Sequence, residues 1–185
     1  MRISYAHGLH KPNDNDKYMP TLIIPNGDLK PLHQAVASAV TGEWGEKGVE
    51  RFKKGLIKNP ILAGDSKSAH DKEGNLKEGL GPDVSFIRPW SKNPIKVFGP
   101  DVLPMDAQEV QSGWWGYAVL TPFAWHNDES GDGIGFWISM WQHVKEDETI
   151  GGGFTANPDD FFSKETVSTD GDCEVGSGGA ADLFG

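Results

Sequence analysis

The chain has 185 residues, 37% of them hydrophobic and 24 of them glycine, with a formal charge of −10. That length supports one domain with a real core, and the glycine content favours a loop-rich fold with substantial β structure. No apolar run approaches the ~20 residues of a membrane-spanning helix, and the strongly acidic total speaks at first against nucleic acid as a partner.

Residues 1–16 are polar, with Pro and Asn, and read as a flexible arm. They lack the apolar stretch of a signal peptide, and the only cysteine, Cys173, has no internal disulfide partner; both point to a reducing, intracellular setting. Tyr18 to Pro25 is a short apolar run bounded by prolines and by Asn26-Gly27, which predicts a strand. Pro31 opens a helical pattern in which Leu32, Val36 and Val40 share a face, with Gly42 as its stop. A second helical stretch, 47–54, sets Val49 and Phe52 against basic residues. Residues 59–82 show little periodicity and predict a long surface loop. Val84 to Pro89 and Ile95 to Phe98 predict two further short strands.

Charge is unevenly spread along this order. From Lys47 to Lys96 there are eleven basic and six acidic residues, a net of +5. Beyond Asn157 seven acids face Lys164 alone, a net of −6. The middle of the chain can therefore meet an anion although the total is negative. The last segment, 157–185, is acidic and Gly/Ser-rich, a composition that predicts disorder.

Two aromatic segments lie between these regions. Trp114-Trp-Gly-Tyr-Ala-Val-Leu-Thr-Pro-Phe-Ala-Trp125 and Gly135-Phe-Trp-Ile-Ser-Met-Trp141 flank a turn-rich stretch, 126–133, and predict a hairpin. Alternation places Trp115, Tyr117, Val119, Thr121, Phe123 and Trp125 on one face of the first strand. In the second, Ile134, Phe136, Ile138 and Met140 form an ordinary core face, and Trp137 and Trp141 share the opposite face with Gly135, Ser139 and His143. Large rings usually fill cores, which is the expectation for Trp114, Trp115 and Phe123. Large rings among small and polar neighbours make a stacking platform instead, which is the expectation for Trp137 and Trp141. Such platforms bind single-stranded nucleic acid or sugars, and the basic middle third together with the missing signal peptide favours nucleic acid.

Catalytic signals are weak. His126, Asp128, Glu129 and Asp132 could gather around a divalent cation, but their glycine-rich setting fits a plain hairpin turn better. No GxxxxGK[ST] loop occurs, the histidines show no metal-ligand spacing, and Cys173 lies in the acidic tail. The sequence predicts no enzyme, metal or cofactor.

Several patches resemble a bacteriophage single-stranded DNA-binding protein family formerly known only as a domain of unknown function. They are Lys17-Tyr-Met-Pro-Thr-Leu-Ile-Ile-Pro25, Asn59-Pro-Ile-Leu-Ala-Gly-Asp65, Gln111-Ser-Gly-Trp-Trp-Gly-Tyr117, Gly133-Ile-Gly-Phe136 through Gln142-His-Val-Lys-Glu-Asp-Glu148, and Gly151-Gly-Gly153. The resemblance implies an OB-fold over 17–156, a five-stranded partly open barrel with one or two inserted helices, followed by the acidic tail, 157–185. It also implies sequence-tolerant binding of single-stranded DNA in phage replication or recombination, in the cytoplasm of the infected bacterial host.

On this reading Trp137, Trp141, Tyr117 and Trp125 stack bases, and Arg88, Lys92, Lys96, Lys53 and Lys54 neutralise phosphates. The stacking role of Trp137 and Trp141 rests on alternation, because the family usually carries smaller or aliphatic residues there. The tail end, Asp182, Leu183 and Phe184, is expected to dock on replication or recombination proteins or to mask the basic groove; a merely solubilising tail is the alternative. No membrane partner is expected. The competing function is an intracellular β-barrel or sandwich binding a protein or glycan, such as a virion component.

Overall fold

The computed structural model describes residues 1–151; the tail segment 157–185, with Asp182, Leu183 and Phe184, lies outside the described residues. In chain order the elements are β1 (Arg2–Ser4), β2 (Thr21–Pro25), α1 (Lys30–Lys53), β3 (Ile57–Lys58), β4 (Leu62–Ala63), β5 (Val84–Ile87), β6 (Lys96–Phe98), β7 (Trp115–Asn127) and β8 (Gly131–Lys145). They form one sheet in the order β3-β8-β7-β1-β2-β5-β4, with β6 added alongside β8. Neighbours are antiparallel, apart from β3 and β6, which run parallel to β8.

The sheet curls until the chain leaving β5 meets β8. Trp90 N–H donates to the Phe136 carbonyl (3.1 Å), and Ile138 N–H donates to the Trp90 carbonyl (3.2 Å). β8, β7, β1, β2 and β5 thus make a five-stranded ring closed by one short bridge, the partly open barrel that the family resemblance implies. Its interior holds Ile3, Leu22, Ile24, Ile87, Ile134, Phe136, Ile138 and Trp141.

The N-terminus departs from expectation. It is no loose arm: Arg2 pairs with Ile23 on one side and Trp115 on the other, and Ile3 and Leu9 are fully buried. Three residues are too few to show alternation in a sequence, yet here they gain ladder bonds on both edges. The stretch 59–82 is also more ordered than predicted. It contributes β4 and buries Ala69 against Ile23, Phe86 and Ile150, which covers the second face of the β2–β5 pair.

The alternation of β8 breaks at Ser139. Val119 pairs with Met140 and Leu120 with Ile138, so Ser139 is an extra residue, a β-bulge. Ile134, Phe136 and Ile138 face the core before it; Trp141 and His143 do so after it. Trp141 is completely buried against Gly116, where an added Cβ would lie 2.4 Å from the indole Cζ2. His143 is buried beside Trp114, ring centroids 4.5 Å apart. The predicted platform role of Trp141 is therefore wrong, and Met140, predicted core, is outward and 39% exposed.

α1 buries Leu32, Val36 and Val40 as predicted, but it runs through Gly42 and breaks at Gly45, whose φ of 63° leaves the helical region. A mid-helix glycine costs only about 1 kcal/mol, so Gly42 by itself is no stop. The helix is tied to the β7–β8 turn by a chain of polar groups. His126 Nδ1 contacts Asp132 Oδ1 (2.8 Å), its Nε2 contacts Glu43 Oε1 (3.3 Å), and Arg51 donates to Asp132 Oδ2 (2.5 Å). Of the residues considered for a metal, His126 and Asp132 are thus engaged in holding α1 to the hairpin.

Hydrogen bonding to Asp132, then to Glu43, raises the His126 pKa; hydrogen bonds from His126, then Arg51, lower that of Asp132. A histidine raised on folding stabilises fully below its unfolded value of about 6.5, and the contribution is lost as pH climbs through the higher folded value. A depressed aspartate stabilises above about 3.9, and its contribution is lost as pH falls through the lower folded value. The clamp is therefore strongest between these limits. Thermal melts of the parent and His126→Ala should differ most near pH 6 and converge at alkaline pH; a gap that does not change with pH would show that His126 acts only by packing.

Candidate functional site

The outward face of the β7–β8 hairpin gathers aromatic rings. On β7 it carries Tyr117, Val119, Thr121, Phe123 and Trp125, the set that alternation predicts. Opposite them, β8 offers Gly133 and Gly135, which pair with Trp125 and Phe123. These glycines are seats. A Cβ on Gly133 would stand 2.2 Å from Trp125 Cζ2, and one on Gly135 2.6 Å from Phe123 Cζ, so each ring lies down across its glycine.

Next along β8, Trp137 stacks on Phe123, centroids 4.6 Å apart and planes 21° from parallel. Trp90, placed by the bridge that closes the barrel, meets both edge-on, at 5.8 Å from Phe123 and 6.3 Å from Trp137. Edge-to-face and offset contacts of this kind fix ring orientation as well as bury area. The row is only partly covered: Trp137 remains 48% exposed and Tyr117, further along, 66%.

Cations surround the row. Lys17 Nζ lies 4.3 Å from the Trp90 ring, and Lys58, set opposite Gly133 by the β3–β8 pairing, lies 5.5 Å from that of Trp125. The Arg88 guanidinium sits 5.2 Å over Phe86 and donates to the Ser68 carbonyl. A cavity of about 430 Å³ opens among Lys17, Arg88, Trp90, Phe123 and Trp125. A second, of about 590 Å³, is lined by Trp90, Trp137, Thr121, Lys92 and Lys96, so that Trp90 stands between the two. Among the described residues none of Lys17, Lys58, Arg88, Lys92 and Lys96 forms an ion pair with a carboxylate. Flat π-surfaces flanked by unneutralised cations suit a ligand that is both planar and anionic along its length.

The structure brings Tyr117, Trp125, Trp137, Arg88, Lys92 and Lys96 to this face. It leaves out Trp141, which the bulge turns inward, and also Lys53 and Lys54. Lys53 instead borders an apolar hollow of α1 with Val36, Val40 and Phe52, because α1 carries the pair to its far end before β3 returns the chain to the hairpin. Trp115, predicted core, is outward and donates its Nε1–H to Asp147 at 2.7 Å. Phe123, also predicted core, belongs to the aromatic row, as its shared face with Trp125 already implied. Lys17, Lys58 and Trp90 were missed as site residues. Lys58 lay within the basic third, but only long-range pairing brings Lys17 and Trp90 to the hairpin.

The family model described as Enterobacter phage Enc34, ssDNA-binding protein, matches residues 1–172. Among solved structures, the single-stranded DNA-binding protein from bacteriophage Enc34 is similar at a TM-score of 0.60 and 21% identity, over 87% of this chain and 86% of that one. The same protein in complex with ssDNA gives 0.60 and 18%, over 81% and 85%. Its C-terminal truncation gives 0.56 and 20%, over 80% and 84%. At these identities the likeness is one of fold. No curated protein matches this chain.

The two tryptophans that the sequence paired should respond oppositely. Trp141→Ala empties a buried indole site and should cost about 3–5 kcal/mol in denaturant unfolding. Trp137→Ala removes a half-exposed ring and should cost about 1 kcal/mol. Equal losses would contradict the division made by the bulge.

Proposed function

This chain belongs to the family of the Enterobacter phage Enc34 single-stranded DNA-binding protein, and we propose that it binds single-stranded DNA, without base specificity, across the outward face of the β7–β8 hairpin. The observation that carries this reading is the row Trp125, Phe123, Trp137 and Trp90 bordered by cations that no carboxylate neutralises among the described residues. Bases stack on Trp137, Trp125 and Tyr117, each contact worth about 1–3 kcal/mol and indifferent to base identity because every base has a π-face. Phe123 and Trp90 hold Trp137 in place. Lys17, Lys58, Arg88, Lys92 and Lys96 take the phosphates.

The protein acts as an equilibrium coat on single strands during phage DNA replication or recombination, in the cytoplasm of the infected host, and performs no catalytic step. Residues 17–156, with β1 and the turn after it, make the DNA-binding domain. The acidic segment 157–185 has the charge to compete with DNA for the groove, and Asp182, Leu183 and Phe184 offer an apolar, acidic end for a replication partner.

Titration with oligo-dT and with duplex DNA tests the reading. Five phosphate contacts predict that log K falls with log salt at a slope of about −3.5, at −0.7 per contact for single strands. Trp137→Ala should weaken binding by about 1–3 kcal/mol. Absent or salt-insensitive binding would point instead to a protein or glycan ligand, and affinity unchanged by this substitution would show that the stacking face is misassigned. A chain ending at Gly153 should bind more tightly than the full chain at low salt, and equal affinity would remove the masking role of the tail.

A further inference from the structure

Beyond the aromatic row the cationic surface continues over a part of the molecule that this function does not yet use. A third cavity, of about 620 Å³, is lined by Tyr5, Lys11, Lys17, Met19, Lys77 and Arg88 among others, and no carboxylate lines it. It shares Lys17 and Arg88 with the cavity beside Trp90. The two hollows are therefore neighbours along one groove, with the Lys17 ammonium over Trp90 at their junction.

The walls of this cavity are built rather than loose. Lys11 N–H donates to the His7 carbonyl (2.8 Å), and the 13–17 loop is closed by Asn13 N–H to the Lys17 carbonyl (2.9 Å) and Lys17 N–H to Asn13 Oδ1 (3.1 Å). Lys77 N–H donates to the carbonyl of the fully buried Ala69. Gly8 lets the first turn press on the lead into β2, since a Cβ there would stand 2.6 Å from the Met19 carbonyl carbon. Tyr5 is held in the left-handed region, φ 54° and ψ 49°, a conformation that a tyrosine adopts only at a cost. Its carbonyl accepts from Gly8 N–H, and the next residue donates to Ser112 Oγ. Tyr5 is thereby left 46% exposed at the cavity rim, and its ring meets His7 edge-on at 6.0 Å.

Resting on the DNA-binding reading above, we propose that the bound strand continues past Trp90 into this cavity. There Lys11, Lys17, Lys77 and Arg88 take the phosphodiester backbone of further nucleotides, and Tyr5 stacks a base. The N-terminal turn is then the far end of the binding path, and occupied length is set there.

Anisotropy titrations of labelled oligo-dT on the full chain test this with two lengths, about 5 and about 16 nucleotides, the span of sites that OB-folds cover. The double variant Lys11→Gln/Lys77→Gln changes only side chains outside the aromatic row. It should make the salt slope for the long oligonucleotide shallower by about 1.4, two contacts at 0.7 each, and leave the short one unchanged. Tyr5→Ala should weaken the long oligonucleotide on the order of tenfold and spare the short one. Tyr5→Asn, which tolerates the left-handed backbone, should do the same and so separates loss of stacking from misfolding. Long-oligonucleotide affinity and slope that match the parent in all three variants, while Trp137→Ala still weakens both lengths, would overturn this extension alone. If Trp137→Ala also changes neither length, the DNA-binding face itself is misassigned and the extension falls with it.

Discussion

One additional residue in β8, Ser139, decides which aromatic side chains hold the barrel together and which are free to meet a ligand. Without the bulge, Trp137 and Trp141 would share a face, and strict alternation would put both outside or both inside. With it, Trp137 stays outward on Phe123, and Trp141 enters the core over Gly116. The bulge also falls where Trp90 bridges to the two residues flanking Trp137, so barrel closure and ring placement depend on the same few residues of β8. Local strand curvature and increased twist are the usual consequences of such an insertion, and a ring of five strands needs both in order to close.

The two faces of the hairpin use glycine in the same way. Gly116 on β7 receives Trp141 from β8 inside the barrel; Gly133 and Gly135 on β8 receive Trp125 and Phe123 from β7 outside it. Each glycine removes a Cβ that would hold an indole or phenyl ring off the sheet. Rings that lie flat bury one π-face against backbone and keep the other for packing or ligand, which is why the outer row can be rigid and still accessible. Glycine weakens a strand by itself, and here the cross-strand ring contacts offset that loss.

Much of this was readable in the chain. Alternation along β7 grouped Tyr117, Val119, Thr121, Phe123 and Trp125 on one face, although Phe123 was expected in the core, and the helical pattern gave the buried face of Leu32, Val36 and Val40. The five-stranded barrel was anticipated through a family resemblance, because strand count alone does not specify how strands close. What failed has specific causes. A bulge has no composition of its own, so period-2 reasoning carried Trp141 to the wrong face. β1 is three residues long and is held by pairing that forms only once β2 and β7 are in place, so Arg2–Ser4 looked like part of an arm. Lys53 and Lys54 were chosen for nearness in sequence to other cations, whereas α1 moves them away and β3 brings Lys58 instead.

A chain with a formal charge of −10 can still hold an anionic polymer, because screening makes the interaction local. At physiological ionic strength the Debye length is about 8 Å, so a phosphate on the hairpin face senses the lysines around it far more than carboxylates across the molecule. The division of labour in the fold follows from the same geometry. The long hairpin has the length and alternation to carry rings, while the cations come from segments that enter or leave short strands: Lys17 before β2, Lys58 in β3, Arg88 and Lys92 after β5. Those segments are far apart in sequence: Lys58 arrives by direct pairing of β3 with β8, whereas Lys17, Arg88 and Lys92 converge because the sheet curls back on itself at Trp90. A barrel that failed to close would keep its aromatic hairpin, with Lys58 and Lys96 on strands paired to β8, but lose Lys17, Arg88 and Lys92 from its side. On the proposed reading, fold stability and ligand affinity are therefore coupled through one short stretch of backbone.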